Sequence, residues 1–240
     1  MGFTHLKVTD HPSPNFGPRR DGARPDLVVL HYTAMDSCEA ARNRLCDPAA
    51  QVSCHYLISE TGEVLRLVDE KMRAWHAGAG QWGDVADVNS RSIGIELANR
   101  GDHPFAAPQM AALEALLAGI LDRRSIPPER VIGHSDMAPE RKRDPGPKFD
   151  WKRLAVQKLS IWPDVAPEHS PDRPEWDGER IREFGRLLKQ IGYPIKDPLP
   201  SLAFLEAFSC RFGGHQGIDP FKAAQDLANR YPVDRRAFNA

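Results

Sequence analysis

No apolar run in the 240-residue sequence approaches the roughly 20 residues needed to cross a bilayer as a helix, and no internal repeat or low-complexity tract is visible. Those absences argue against a helical membrane protein and against a repeat architecture. An excess of either charge is also missing. With 32 Lys and Arg against 33 Asp and Glu, the formal net charge is −1, so nothing favours nucleic acid or an anionic membrane as a partner. Cysteine is sparse: Cys38, Cys46, Cys54 and Cys210. The spacing of the first three matches neither C-x2-C nor C-x4-C, which argues against a thiolate zinc site. Cys38 and Cys46 instead read as two residues on one buried helical face. Unpaired thiols fit a reducing compartment, and the start, MGFTHLKVTD, lacks a basic region followed by an apolar core. The expectation is a cytoplasmic protein, or a periplasmic one if a leader has been removed.

What is present is the composition of a soluble globular chain, 41% apolar and 27% charged. The β-branched run DLVVLHYTA (26–34) reads as a buried strand ending near His31. A helix should follow, capped by Ser37 and stopped by Pro48. VSCHYLIS and EVLRLV read as a hairpin joined by Glu60-Thr61-Gly62. In RSIGIELAN, Ile93, Ile95 and Leu97 share one face of a strand, with Gly94, Glu96 and Ala98 on the other. Met110, Leu113, Leu116, Leu117, Ile120 and Leu121 form a helical stripe that opens at Pro108, and RVIGH is a last short strand. Strands interleaved with helices, including a hairpin, predict an α/β domain with a mixed sheet over residues 1–163. The proline-rich segment 164–177 has linker composition. Residues 178–240 read as a small three-helix unit that leans on the first domain, the last helix capped by Asp219 with Pro220 in its first turn.

Three polar residues fall where chemistry is expected. His31 and His134 stand where predicted strands give way to loops, positions that often face a cleft. Either could equally be a satisfied core or rim histidine, and Asp144 before Pro145-Gly146 could be a turn residue bonding its own backbone. Glu96 is mid-strand in an apolar run, where an unpaired carboxylate is costly to bury; it asks for a pocket, a partner or a metal. Two imidazoles and a carboxylate brought by strand ends and a loop would suit an open zinc site with a free fourth position. Glu96 could then carry a proton and Lys142 stabilise an oxyanion. Spacing alone does not establish that assembly.

VVLHYTA, VSCHYLISETGEV, RAWHAG, NSRSIGIELAN and GHSDMAPERKRDPGPKFDW, read in that order, resemble the zinc-dependent N-acetylmuramoyl-L-alanine amidases of the type-2 amidase family, which are related to the peptidoglycan recognition proteins. The likeness implies a central mixed sheet flanked by helices, with a Zn2+ cleft at one edge. It implies His31, His134 and Asp144 as zinc ligands, Glu96 as general base and Lys142 as oxyanion stabiliser. RAWHAG would line the substrate groove, with Arg73 a carboxylate-binding candidate and Trp75, His76 and Asn89 as further groove residues, Trp75 being alternatively a packing residue beneath the cleft. His55 is expected to be structural. The implied reaction is hydrolysis of the amide between N-acetylmuramic acid, in its 1,6-anhydro form, and L-alanine of muropeptides during wall recycling. An exported amidase acting on periplasmic wall fragments, a non-catalytic peptidoglycan-binding protein and a stem-peptide peptidase are the alternatives. AFSCRF with the later GIDP resembles a peptidoglycan-binding helical domain, although Ser209 stands where that motif usually has glutamine. A helical cap with no ligand of its own is the other reading. A chain ending at Pro163 is accordingly expected to keep some activity on small muropeptides.

Overall fold

In the computed structural model, which describes residues 6–168, 175–197 and 199–233, short strands β1 (Val8–Asp10) and β2 (Phe16–Pro18) precede β3 (Leu27–Tyr32), formed by the apolar run read from the sequence. Helix α1 (Cys38–Cys46) begins where Ser37 Oγ accepts the Ala40 amide at 3.1 Å, satisfying a donor that the first turn would leave unpaired. The hairpin is β4 (Tyr56–Ile58) and β5 (Val64–Arg66), followed by β6 (Met72–Ala74), the one-turn α2 (Val88–Arg91) and β7 (Ser92–Leu97). Next come α3 (Ala107–Arg124), β8 (Val131–Gly133), the short α4 (His134–Met137) and α5 (Trp151–Val156). The last three helices are α6 (Gly178–Ile191), α7 (Leu202–Arg211) and α8 (Pro220–Arg230). Asp219 caps α8 by accepting the Lys222 amide at 2.8 Å.

Among the described residues the main sheet has the order β1-β5-β4-β7-β3-β8, and β2 pairs with β6 apart from it. Only β4 and β5 run antiparallel in that sheet, so it is mixed, as the alternation of elements implied. Parallel neighbours need crossovers, and α1, α2 and α3 lie in these connections.

Alternation then sorts the two faces. Val28, Leu30, Ile93, Ile95 and Leu97 pack against Met110, Leu113, Leu117 and Ile120 of α3. On the other face, Leu27, Val29 and Ile132 belong to one apolar cluster with Phe184 of α6, Phe208 of α7 and Leu227 of α8. Phe184, Phe208 and Leu227 are at most 1% exposed, and each such side chain contributes about 1.5–3 kcal/mol on burial. The helical unit therefore shares a core with the sheet. Of the segment 164–177, residues 169–174 lie outside those described; on either side of them Val165 and Trp176 pack on the same cluster, and the Glu168 amide bonds the Gly217 carbonyl at 2.8 Å. Cys38 and Cys46 are part-buried on α1, against the cluster formed by Ala41, Leu45 and Leu57.

Candidate metal centre

Strands β8, β3 and β7 are neighbours and parallel, so their carboxyl ends open onto one crevice, the usual ligand position in such sheets. His31 is the penultimate residue of β3 and Glu96 the penultimate residue of β7, directly paired in register. His134 opens α4 immediately after β8. Asp144 arrives in the following loop, which the Ser135 amide holds by donating to the Asp144 carbonyl at 2.9 Å. All three proposed ligands are buried, at 1%, 3% and 8% exposure.

Their facing atoms form a tight triangle. His31 Nδ1 lies 3.0 Å from His134 Nδ1 and 2.8 Å from Asp144 Oδ2, and the third side is 3.1 Å. The partners behind the rings decide where the protons sit. Ser92 Oγ donates to the Val88 carbonyl at 2.5 Å and so accepts from His76 Nε2 at 3.2 Å. His76 Nδ1 then accepts from His31 Nε2 at 3.0 Å. His134 Nε2 donates to the Ala77 carbonyl at 2.8 Å. Both Nδ1 atoms are left as lone pairs, turned toward each other and toward a carboxylate oxygen. Burial, with the neighbouring His134 adding to it, pushes the His31 ring down to about 4. Burial raises Asp144, but the adjoining His134 and His31 rings outweigh it and hold its carboxyl below the ordinary range. With the rings in these tautomers, three atoms that can each give a lone pair stand within 3.1 Å of one another, an arrangement that a shared cation would satisfy. Two imidazole nitrogens and one carboxylate oxygen form the donor set of a catalytic zinc site, so the residues present fit Zn2+.

The surrounding cleft, about 440 Å³, is also lined by Glu96, Trp75, His76 and Lys142. Glu96 Oε2 is buried and, among the described residues, has no hydrogen-bond partner. Burial, and secondarily the charge of Asp144, push its carboxyl up to about 8 against the opposing pull of Lys142. A carboxyl of that kind can gain and lose a proton near neutral pH.

Of the other residues singled out in the sequence, Arg73, Asn89 and His55 do not line the cleft. Arg73 donates to Asp87 Oδ1 at 2.9 Å and does not line the cleft. Asn89 is behind it: its Oδ1 accepts the amides of His76 and Ala77 at 3.0 and 2.9 Å, fixing the segment that presents His76. His76 faces the cleft with both ring nitrogens engaged. His55 accepts the Gly94 amide at 2.9 Å on Nδ1 and lies 3.1 Å from the Met72 carbonyl on Nε2, a structural position. Ser92, Asp136, Arg211 and the cleft-lining Arg44 were not singled out by residue type or spacing in the sequence. One signal for the histidine chain was available: Gly94 interrupts a strand, and a Cβ there would come within 2.4 Å of the His76 ring.

The model of the N-acetylmuramoyl-L-alanine amidase family, Amidase_2, matches residues 21–147. The N-acetylmuramoyl-L-alanine amidase AmiD of Escherichia coli K12 is 41% identical over 241 residues, covering 88% of this chain and 85% of AmiD. The 1,6-anhydro-N-acetylmuramyl-L-alanine amidase AmpD of the same organism is 35% identical over 162 residues, covering 60% of this chain and 88% of AmpD. A solved complex of E. coli AmiD with the substrate anhydro-N-acetylmuramic acid-L-Ala-D-gamma-Glu-L-Lys superposes with a TM-score of 0.75 at 32% identity, covering 92% of this chain and 93% of that one.

Proposed function

The chain belongs to the N-acetylmuramoyl-L-alanine amidase family, and from that premise we propose that Glu96 and Lys142 carry its chemistry. The enzyme is a zinc amidase that cleaves the bond between N-acetylmuramic acid and L-alanine in peptidoglycan. The 1,6-anhydro form is the proposed substrate, because AmpD is named for it and the AmiD complex holds it.

His31, His134 and Asp144 would hold the ion. Zinc in such a site supplies Lewis acidity, which polarises a carbonyl and makes water more acidic. The rest falls to side chains. Glu96 takes a proton from the water that attacks the lactyl carbonyl carbon. As the bond from that carbon to the alanine nitrogen breaks, Glu96 returns the proton to the departing nitrogen. The products are the lactyl carboxylate on the sugar and a peptide with a free L-alanine amine. The Lys142 ammonium opposes the negative charge that develops on the carbonyl oxygen. The buried Oε2 of Glu96, without a hydrogen-bond partner among the described residues, in register with His31 and in the same cleft, is the observation that carries this reading.

Mass spectrometry of products from paired anhydro-muropeptide and intact sacculus substrates tests it. A released peptide beginning with free L-alanine, faster from the anhydro substrate, is expected. A shortened peptide still attached to sugar would assign the cleavage to a bond within the stem.

A further inference from the structure

Asp136 is wholly buried, two residues beyond His134, and two of its three partners come from far along the chain. Its Oδ2 accepts the Gly133 amide at 2.6 Å and Arg211 Nη1 at 2.8 Å. Its Oδ1 accepts the Tyr193 hydroxyl at 2.6 Å. Arg211, at the end of α7, uses Nη2 on the Val131 carbonyl at 2.7 Å. One guanidinium thus holds both the start of β8 and the carboxylate that closes the turn after it. The guanidinium carbon lies 4.8 Å from the Trp151 ring centroid and 4.7 Å from that of Phe212, so it cannot swing to another partner without opening the core. Tyr193, just beyond α6, is 2% exposed.

From this geometry we infer that the carboxy-terminal helices are part of the metal centre: Arg211 and Tyr193, acting through Asp136, are positioning residues for His134. The carboxylate meets three donors from three directions and cannot rotate. Its bond to the Gly133 amide closes the turn from which the His134 ring leaves. The same turn carries Ser135, whose amide holds the Asp144 carbonyl, so the effect reaches a second proposed ligand. The steric fit points the same way: a Cβ at Gly133 would lie 2.8 Å from Pro145, the residue after Asp144, and 3.3 Å from Asp136 Oδ2. The arginine of AFSCRF is therefore turned inward to the sheet. Fixing of a ligand by its outer partners governs metal affinity as well as rate.

The inference rests on the zinc-site reading above, and its test separates the two. In the full chain, zinc affinity is measured by competition with a chromophoric chelator, with the visible spectrum of the cobalt(II)-substituted protein alongside. Arg211→Met should weaken zinc about 10–100-fold and shift the cobalt bands; Tyr193→Phe should do both to a smaller degree. Arg180→Met is the control. Arg180 faces Asp219 at 3.7 Å and the Phe221 ring at 4.2 Å within the helical unit, so its loss should lower the melting temperature and leave zinc affinity and cobalt spectrum unchanged. Parent-like affinity and spectrum in folded Arg211→Met or Tyr193→Phe would overturn the inference, as would an equal loss in Arg180→Met. If Arg211→Met does not fold, Tyr193→Phe, which removes one oxygen and keeps the ring, decides. A parent chain that binds neither ion would remove the metal-site reading and this inference with it.

Discussion

Two histidines face each other across 3.0 Å, yet different parts of the chain hold them. Behind His31 the support is His76, Ser92 and the Val88 carbonyl, all supplied by the sheet half. It is a neutral chain of hydrogen bonds that selects a tautomer. Behind the turn of His134 the support is a buried ion pair, 2% and 0% exposed at its side chains, reaching 75 residues down the sequence. The first device orients a ring and costs little to assemble. The second anchors backbone, and it leaves an unpaired charge in the core if either partner is lost. The comparison teaches that the apparent appendix is built into one side of the active cleft.

The largest effect should erase the difference. His31→Ala and His134→Ala should each lose zinc and turnover, since both supply a donor to the same ion; elemental analysis of the purified proteins measures this, and full occupancy in either would remove that residue from the ligand set. Truncation after Pro163 should break one side alone. It strips the apolar cluster from Leu27, Val29 and Ile132 and leaves Asp136 without Arg211 and Tyr193. Removing one partner of a buried pair costs about 3–5 kcal/mol, so the fragment should be insoluble or only partly folded by circular dichroism. A well-folded, zinc-replete and active fragment would show that both sides are held by the sheet half alone, in line with the activity on small muropeptides expected from the sequence for a chain ending at Pro163.

A smaller effect sharpens the sheet side. Glu96 is raised to about 8 in the folded chain and is near 4.3 when unfolded. A carboxyl raised on folding contributes stability that is full below the unfolded value and lost as pH rises through the folded one. In metal-free protein, Glu96→Gln should therefore gain stability over the parent progressively between about pH 4 and 8 and then level off. The gain should be a few kcal/mol. Denaturant melts across that range check it, and a constant difference would show that the carboxyl is solvated. The smallest change expected is Ser92→Ala, which removes the end of the histidine chain. Loss of one hydrogen bond at about 0.5–1.5 kcal/mol should weaken zinc only a few-fold, well short of Arg211→Met.

Much of this was legible in one sequence. Period-two alternation in SIGIEL put Glu96 on the face opposite Ile93, Ile95 and Leu97, and the structure keeps it there. Capping chemistry at Ser37 and Asp219 located two helix starts. The segments left out are β1, β2, β6, α2, α4 and α5, each three to six residues long. At that length a 3.6-residue period or a strand alternation hardly repeats, so tertiary contacts rather than pattern define them. The substrate-groove reading of RAWHAG was uneven for a similar reason. Trp75 and His76 reach the cleft, whereas Arg73 is taken by Asp87, a partner 14 residues away that no local rule would name.

The residue types and their spacing were enough to determine that this chain would build a mixed α/β domain carrying two imidazoles at strand ends, one carboxylate within a strand, and a second carboxylate and an ammonium in a loop. Whether those groups meet was decided only when β8, β3 and β7 lay side by side in parallel and Asp144 folded back over them. The tertiary structure also decided which nitrogen of each ring faces the cleft, and that Arg211 serves the sheet. Backbone preferences and capping act within a few residues and can be read along the chain. Desolvation, proton placement and a buried ion pair depend on what stands within a few ångströms after the chain has closed, and sequence order does not carry that distance.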